Sequence, residues 1–122
     1  MNAYQMNTRR LSIDFEIYTD GNSEFKQELV LLMIQNLHEL DQALESGAHQ
    51  QDHLKKTIHK MAATISMIND PELMAILPFM KQTDIDGNML QVELNQFRVH
   101  CNEVIKCLEY ELELKAVPVK AA

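Results

Sequence analysis

Among the five histidines of this 122-residue chain, His59 has the neighbours most suited to chemistry. Lys55 and Lys56 stand four and three residues before it, and Lys60 follows directly. Ala62, Ala63 and Ser66 come three, four and seven residues later, and Met67 comes next. A neutral imidazole is a nucleophile, and free imidazole is present in quantity near neutral pH. Ammonium groups around it favour an electrophile that carries negative charge, such as an acyl phosphate. Small side chains beside it leave room for a second macromolecule to approach.

This chemistry requires His59 to face water, and the helix that carries it decides that. Leu54, Ile58, Met61, Ile65 and Ile68 are spaced 4, 3, 4 and 3, the period of one helical face. The spacing predicts a helix from about Gln51 to Ile68. His59 falls about 140° from the centre of that face, on the solvent side. Lys55 and Lys56 bracket it on the wheel. Ala62, Ala63 and Ser66 share its side, and Met67 is expected nearby as an exposed apolar contact.

The rest of the chain reads as helix too. Leu, Met, Glu, Gln, Lys and Ala dominate, with 3 Gly, 3 Pro and no Trp, a helix-forming composition. A short helix is expected from Leu11 to Tyr18, with a turn at Thr19-Asp20-Gly21-Asn22 and a cap at Asn22 or Ser23. A long helix from Ser23 to Ser46 carries Phe25, Leu29, Leu32, Met33, Leu37, Leu40 and Leu44 inward, and Gly47 is its expected stop. After Ile68, Asp70 and Pro71 suit the cap and first position of a further helix. That helix holds Leu73, Ile76, Leu77 and Met80, with a kink at Pro78. The last helix runs from about Met89 to Lys115 with Leu90, Leu94, Phe97, Cys101, Val104, Leu108 and Leu112 inward. The expected fold is all-α, an up-down-up-down four-helix bundle with a short additional N-terminal helix. One domain spans 1–122, its core at about 11–115 and its ends, 1–10 and 116–122, flexible.

Several function classes are disfavoured. The net charge of -7, from 18 acidic and 11 basic residues, opposes nucleic-acid binding. No segment is long enough to span a membrane, and the N-terminus lacks an apolar signal core. Cys101 and Cys107 sit about 9 Å apart along one helix, too far to bridge, so a reducing, cytoplasmic setting is expected. His49 and His53 have a metal-compatible spacing but no third ligand, and no metal site is expected. There is no glycine-rich phosphate loop.

The segment from Leu54 to Ile68, with Ile58-His59 at its centre, resembles the phosphohistidine helix of the histidine-containing phosphotransfer (HPt) family of two-component phosphorelays. Asp20-Gly21-Asn22-Ser23-Glu24-Phe25 and Pro71-Glu72-Leu73 resemble the turns that open its neighbouring helices. The likeness covers roughly residues 11–112. It implies that His59 is a phosphoacceptor relaying a phosphoryl group between receiver-domain aspartates. Such a chain is a phosphoryl carrier rather than a kinase, with no ATP-binding motif. The implied partners are a response-regulator receiver domain and a hybrid sensor histidine kinase. No cofactor of its own is implied; magnesium belongs to the partner. The family's lysine three residues after the histidine is Ala62 here, and its following glycine is Ala63. Lys55, Lys56, Lys60 or Lys81 could supply the missing cation, while Ala62, Ala63, Ser66 and Met67 would form the docking surface. The loss of that lysine also suits a non-catalytic module that binds a receiver without accepting phosphate. An unrelated helical bundle within a larger assembly is the third reading.

Overall fold

The computed structural model describes the backbone of residues 11, 13–78 and 87–121. Among these residues all regular structure is helical, with no strand: α1 (Phe15–Thr19), α2 (Ser23–Glu45), α3 (Gln51–Ile68), α4 (Pro71–Met74) and α5 (Gly87–Ala121).

Local chemistry sets the helix ends. Asp14 accepts from the Glu16 and Ile17 amides and starts α1. The helix therefore begins later than the apolar spacing from Leu11 implies, although Leu11 and Ile13 still pack against the core. Asp20 and Gly21 turn the chain through positive φ (52° and 72°), and Asn22 caps α2 at the Phe25 amide, 2.9 Å away. Asn69 ends α3 in the left-handed region, and Asp70 caps α4 at the Leu73 amide, with Pro71 opening the helix. The structure differs from expectation after Met74. The anticipated long fourth helix is a single turn, followed by a 3₁₀ turn at residues 77–78. Pro78 has no N–H to continue an α-helical ladder, and its ring would strike the carbonyl of Met74. Met80 and Lys81 lie outside the described residues. At the other end, α5 continues beyond Lys115 to Ala121.

The central element is α2, which packs on α1, α3 and α5, while α4 touches both α3 and α5. Polar pairs give the directions. Lys60 meets Glu39 and Thr64 meets Asn36, so α3 runs antiparallel to α2. Lys26 meets Glu111 at one end and Arg98 meets Asp41 nearer the other, so α5 is antiparallel to α2 as well. Gln91 closes the end of α2 by donating to the Leu44 and Glu45 carbonyls and accepting from the Ala48 amide. These are carbonyls that a helix terminus leaves without partners. His100 Nδ1 lies 2.6 Å from Glu72 Oε2 without hydrogen-bond geometry, an electrostatic contact between α4 and α5 when the imidazole is protonated.

The core comprises Val30, Met33, Leu37, Leu40 and Leu44 of α2, the five expected residues of α3, Leu73 and Ile76, and Leu90, Leu94, Cys101, Val104, Ile105 and Leu108 of α5. Two residues placed inward by the sequence pattern are half in water: Phe25 is 48% and Leu32 53% exposed, whereas Val30 is buried. Residues 29–34, Leu-Val-Leu-Leu-Met-Ile, are apolar around the whole helix, so periodicity alone selects no face there.

Gly47 serves a purpose other than the left-handed stop expected of it, since its φ is not positive. A Cβ there would stand 2.7 Å from Leu54 Cδ2 and from Leu94 Cδ1, and 3.2 Å from the Ala43 carbonyl oxygen. The glycine lets α3 and α5 close over the end of α2. Gly47→Ala should therefore destabilise the fold by about 1–3 kcal/mol, an overpacking cost. The check is a urea melt, in which the midpoint falls with little change in slope.

Cys101 Sγ donates to the Leu37 carbonyl oxygen at 3.2 Å. Burial, aided by the charge of Asp41, pushes its thiol up to about 12 from an ordinary 9.0. The unfolded chain can ionise this thiol where the folded one cannot. Its contribution is thus intact below pH 9 and is lost as pH rises toward 12. Urea melts across that range should show an alkaline loss of stability that is smaller in Cys101→Ala. In the native protein at pH 8, half-buried Cys107 should alkylate well before Cys101.

Candidate functional site

Five buried side chains fix the orientation of α3. Leu54, Ile58, Met61, Ile65 and Ile68 are each at most 2% exposed, and His59 is exposed on the opposite side. It stands near mid-helix, where the backbone is held on both sides by intrahelical hydrogen bonds. The imidazole is thus carried on a rigid element rather than on a loop.

The side chains around it fall into two rows. The row toward α2 contains Lys60, whose Nζ lies 3.0 and 3.3 Å from the carboxylate oxygens of Glu39. One turn further, Asn36 Nδ2 donates to Thr64 Oγ1 at 2.9 Å. Glu39 draws Lys60 toward α2, away from the imidazole. Both side chains of this ion pair are largely exposed, and such a pair adds little stability. The other row holds Lys55 and Ala62, both half-buried, with exposed Ser66 beyond them. Lys55 precedes His59 by four residues, a spacing at which side chains meet. Lys56 and Ala63 are exposed on the outer surface between the rows.

The helix is a basic island. It carries three lysines against one acidic residue, Asp52, in a chain of net charge -7. Lys55 and Lys56 give an incoming anionic group favourable charge near His59.

No family model, curated protein or solved structure matches the chain. Of the sequence-selected cations, Lys55, Lys56 and Lys60 share the helix of His59, with Lys60 committed to Glu39. Lys81 is not among the described residues. Of the proposed docking residues, Ala63 and Ser66 are exposed and Ala62 is half-buried.

Met67 departs from expectation. It is half-buried and packs against the core, because it continues the row of Lys60 and Thr64 that lies along α2. The register of those two contacts places residue 67 opposite residue 32 or 33. Leu32, expected to face inward, is exposed at this level of α2.

Among the described residues, no group of three or more His, Cys, Asp or Glu side chains could hold a metal ion, and no helix is long and apolar enough to cross a membrane.

If the outer face of α3 carries no structural duty, His59→Gln and Ala63→Glu should each change stability by less than about 0.5 kcal/mol, the usual range for surface substitutions. Chemical denaturation measures this. A loss several times larger would mean that these side chains hold the fold.

Proposed function

We propose that this chain is a cytoplasmic histidine phosphotransfer protein that takes a phosphoryl group from one receiver-domain aspartate and passes it to another through His59. The observation that carries the reading is an exposed imidazole on a buried, rigid helix, set in a basic island beside the small side chains of Ala62 and Ala63. The sequence resemblance of residues 54–68 to the phosphohistidine helix supports it. In this reading α4 takes the fourth corner of an up-down-up-down bundle whose other corners are α2, α3 and α5.

An imidazole nitrogen attacks the phosphorus of an aspartyl phosphate. The phosphorus–nitrogen bond forms, the phosphorus–oxygen bond to the carboxylate breaks, and the aspartate leaves as its carboxylate. The phosphoimidazole remains an activated phosphoryl donor, so the same steps run in reverse toward the next aspartate. Lys55 and Lys56 offset the negative charge on the group in flight. Magnesium, which phosphoryl transfer ordinarily uses, is supplied by the receiver. Ala63 and Ser66 form the floor on which the receiver sits, and Lys60 with Glu39 marks the edge of that floor.

The missing lysine at Ala62 favours one second reading, a module that docks a receiver without accepting phosphate. Incubation with a phosphorylated receiver domain distinguishes the two. The first reading expects acid-labile, alkali-stable label on the wild-type chain and none on His59→Gln. Lys55→Ala should slow transfer about tenfold, roughly 1.4 kcal/mol of transition-state stabilisation, and Ala63→Glu should slow it more by obstructing approach. Label on Ala62→Lys but none on the wild type would establish the docking module instead.

A further inference from the structure

The outer face of α5 is a second surface that phosphate transfer does not use. Val92, Val99, Glu103, Lys106 and Tyr110 follow one another at spacings of 7, 4, 3 and 4, the repeat of a coiled-coil seam. They lie on the side of the helix opposite buried Cys101. Val92 and Val99 are each 58% exposed and Tyr110 50%, so three large apolar side chains line a helix face that no described element covers. A shallow hollow runs along it, lined by Asn95, Arg98, Val99, Asn102, Glu103 and Lys106. Asn95, Arg98, Val99 and Asn102 stand in the i, i+3, i+4, i+7 relation of a hole that receives one knob from a facing helix. Val99, Asn102, Glu103 and Lys106 form the next such hole. The walls are firm, because Asp41 of α2 holds Arg98 Nε at 3.0 Å and Asn102 Nδ2 at 3.1 Å.

We propose that this face pairs with the same face of a second copy of the chain, the two α5 helices running antiparallel. The charge pattern points to the occupant and the direction, through Lys106 and through Glu103, whose carboxylate also lies 3.8 Å from His100 Nδ1 of its own helix. Setting Val99 opposite the second copy's Tyr110 brings Glu103 opposite the second copy's Lys106. Two-fold symmetry repeats each contact, giving two apolar and two opposite-charge layers. A parallel pairing in register would set Glu103 against Glu103 and Lys106 against Lys106, like charges at close range. Two copies of net charge -7 repel, so a seam that joins them needs this local complementarity. One helix pair buries an area at the small end of specific interfaces, so the dimer is a weak one, with an expected dissociation constant of roughly 10–100 µM. His59 is exposed on α3, a different helix from the seam, so both copies of it stay open to partners. The dimer does not rest on phosphate acceptance, and either can fail without the other.

Sedimentation equilibrium of the full chain tests it. The mass should rise from the 14.1 kDa of one protomer toward twice that value as concentration passes through the stated range. Val99→Asp should weaken association at least tenfold while the helical circular dichroism and urea midpoint stay unchanged. Glu103→Lys and Lys106→Glu should each weaken it, and the two together should restore it, since the swapped charges again face each other. A chain that stays monomeric to about 500 µM overturns the proposal and leaves the face to the helix of a different protein. A dimer indifferent to Val99→Asp overturns it by placing the contact elsewhere. Failure of the double swap to restore association overturns the antiparallel pairing.

Discussion

An amphipathic helix turns an arc of little more than about 100° toward a core, and on α3 Leu54, Ile58, Met61, Ile65 and Ile68 occupy that arc completely. Once they are buried, the direction of every other side chain on the helix is settled. His59 must face outward, Lys60 and Thr64 must run along α2, and Lys55 and Ala62 must lie on the other edge. Rotating α3 to hide the imidazole would expose several large apolar side chains, each at a cost of about 1.5–3 kcal/mol. The exposure of His59 is therefore enforced by the core and needs no contact of its own to maintain it.

The same constraint passes through α2 to the rest of the molecule. This helix meets α1, α3 and α5 and fixes its neighbours at several levels with polar pairs. Glu39 and Asn36 set the register of α3, while Asp41, the Leu44 and Glu45 carbonyls and the Leu37 carbonyl set that of α5. Burial supplies most of the free energy but is nearly indifferent to sliding along the axis. Directional hydrogen bonds distinguish one register from the next. Gly47 adds a steric condition, since a Cβ there would press on Leu54, Leu94 and the Ala43 carbonyl oxygen at the end of α2.

What the sequence made legible follows from how sharply each signal is posed. The 4, 3, 4, 3 spacing from Leu54 to Ile68 admits a single face, and the five apolar side chains buried on α3 follow from it, whereas buried Thr57, a polar residue, does not. The caps at Asn22 and Asp70 are local chemistry and could be read directly. The run at residues 29–34 poses no such alternative, because every position is apolar, and there the pattern points Leu32 inward where the structure buries Val30. The brevity of α4 depends on whether packing can rescue a helix across Pro78, which no local pattern decides. Met67 was misplaced for a different reason. A helical wheel gives an angle about one axis, whereas burial at the flank depends on how the neighbouring helix crosses.

His59 itself was legible as a residue facing water, since its place on the wheel depends only on α3. The neighbourhood was less so, because lysines are long and their heads go where charge is. Lys60 looks equivalent to Lys56 in sequence, yet Glu39, twenty-one positions away, draws it to the α2 edge. Lys55 is half-buried and stands one turn before the imidazole. The family's cation three residues after the histidine would stand in this same row, at Ala62. Lys55 at the minus-four position and a lysine at the plus-three position therefore approach the imidazole from the same edge, from opposite ends of the helix. Lys60, drawn to the α2 edge by Glu39, stands in the other row. Under the proposed phosphotransfer reading, the row shared with Ala62 therefore makes Lys55, rather than Lys60, the candidate for that cation.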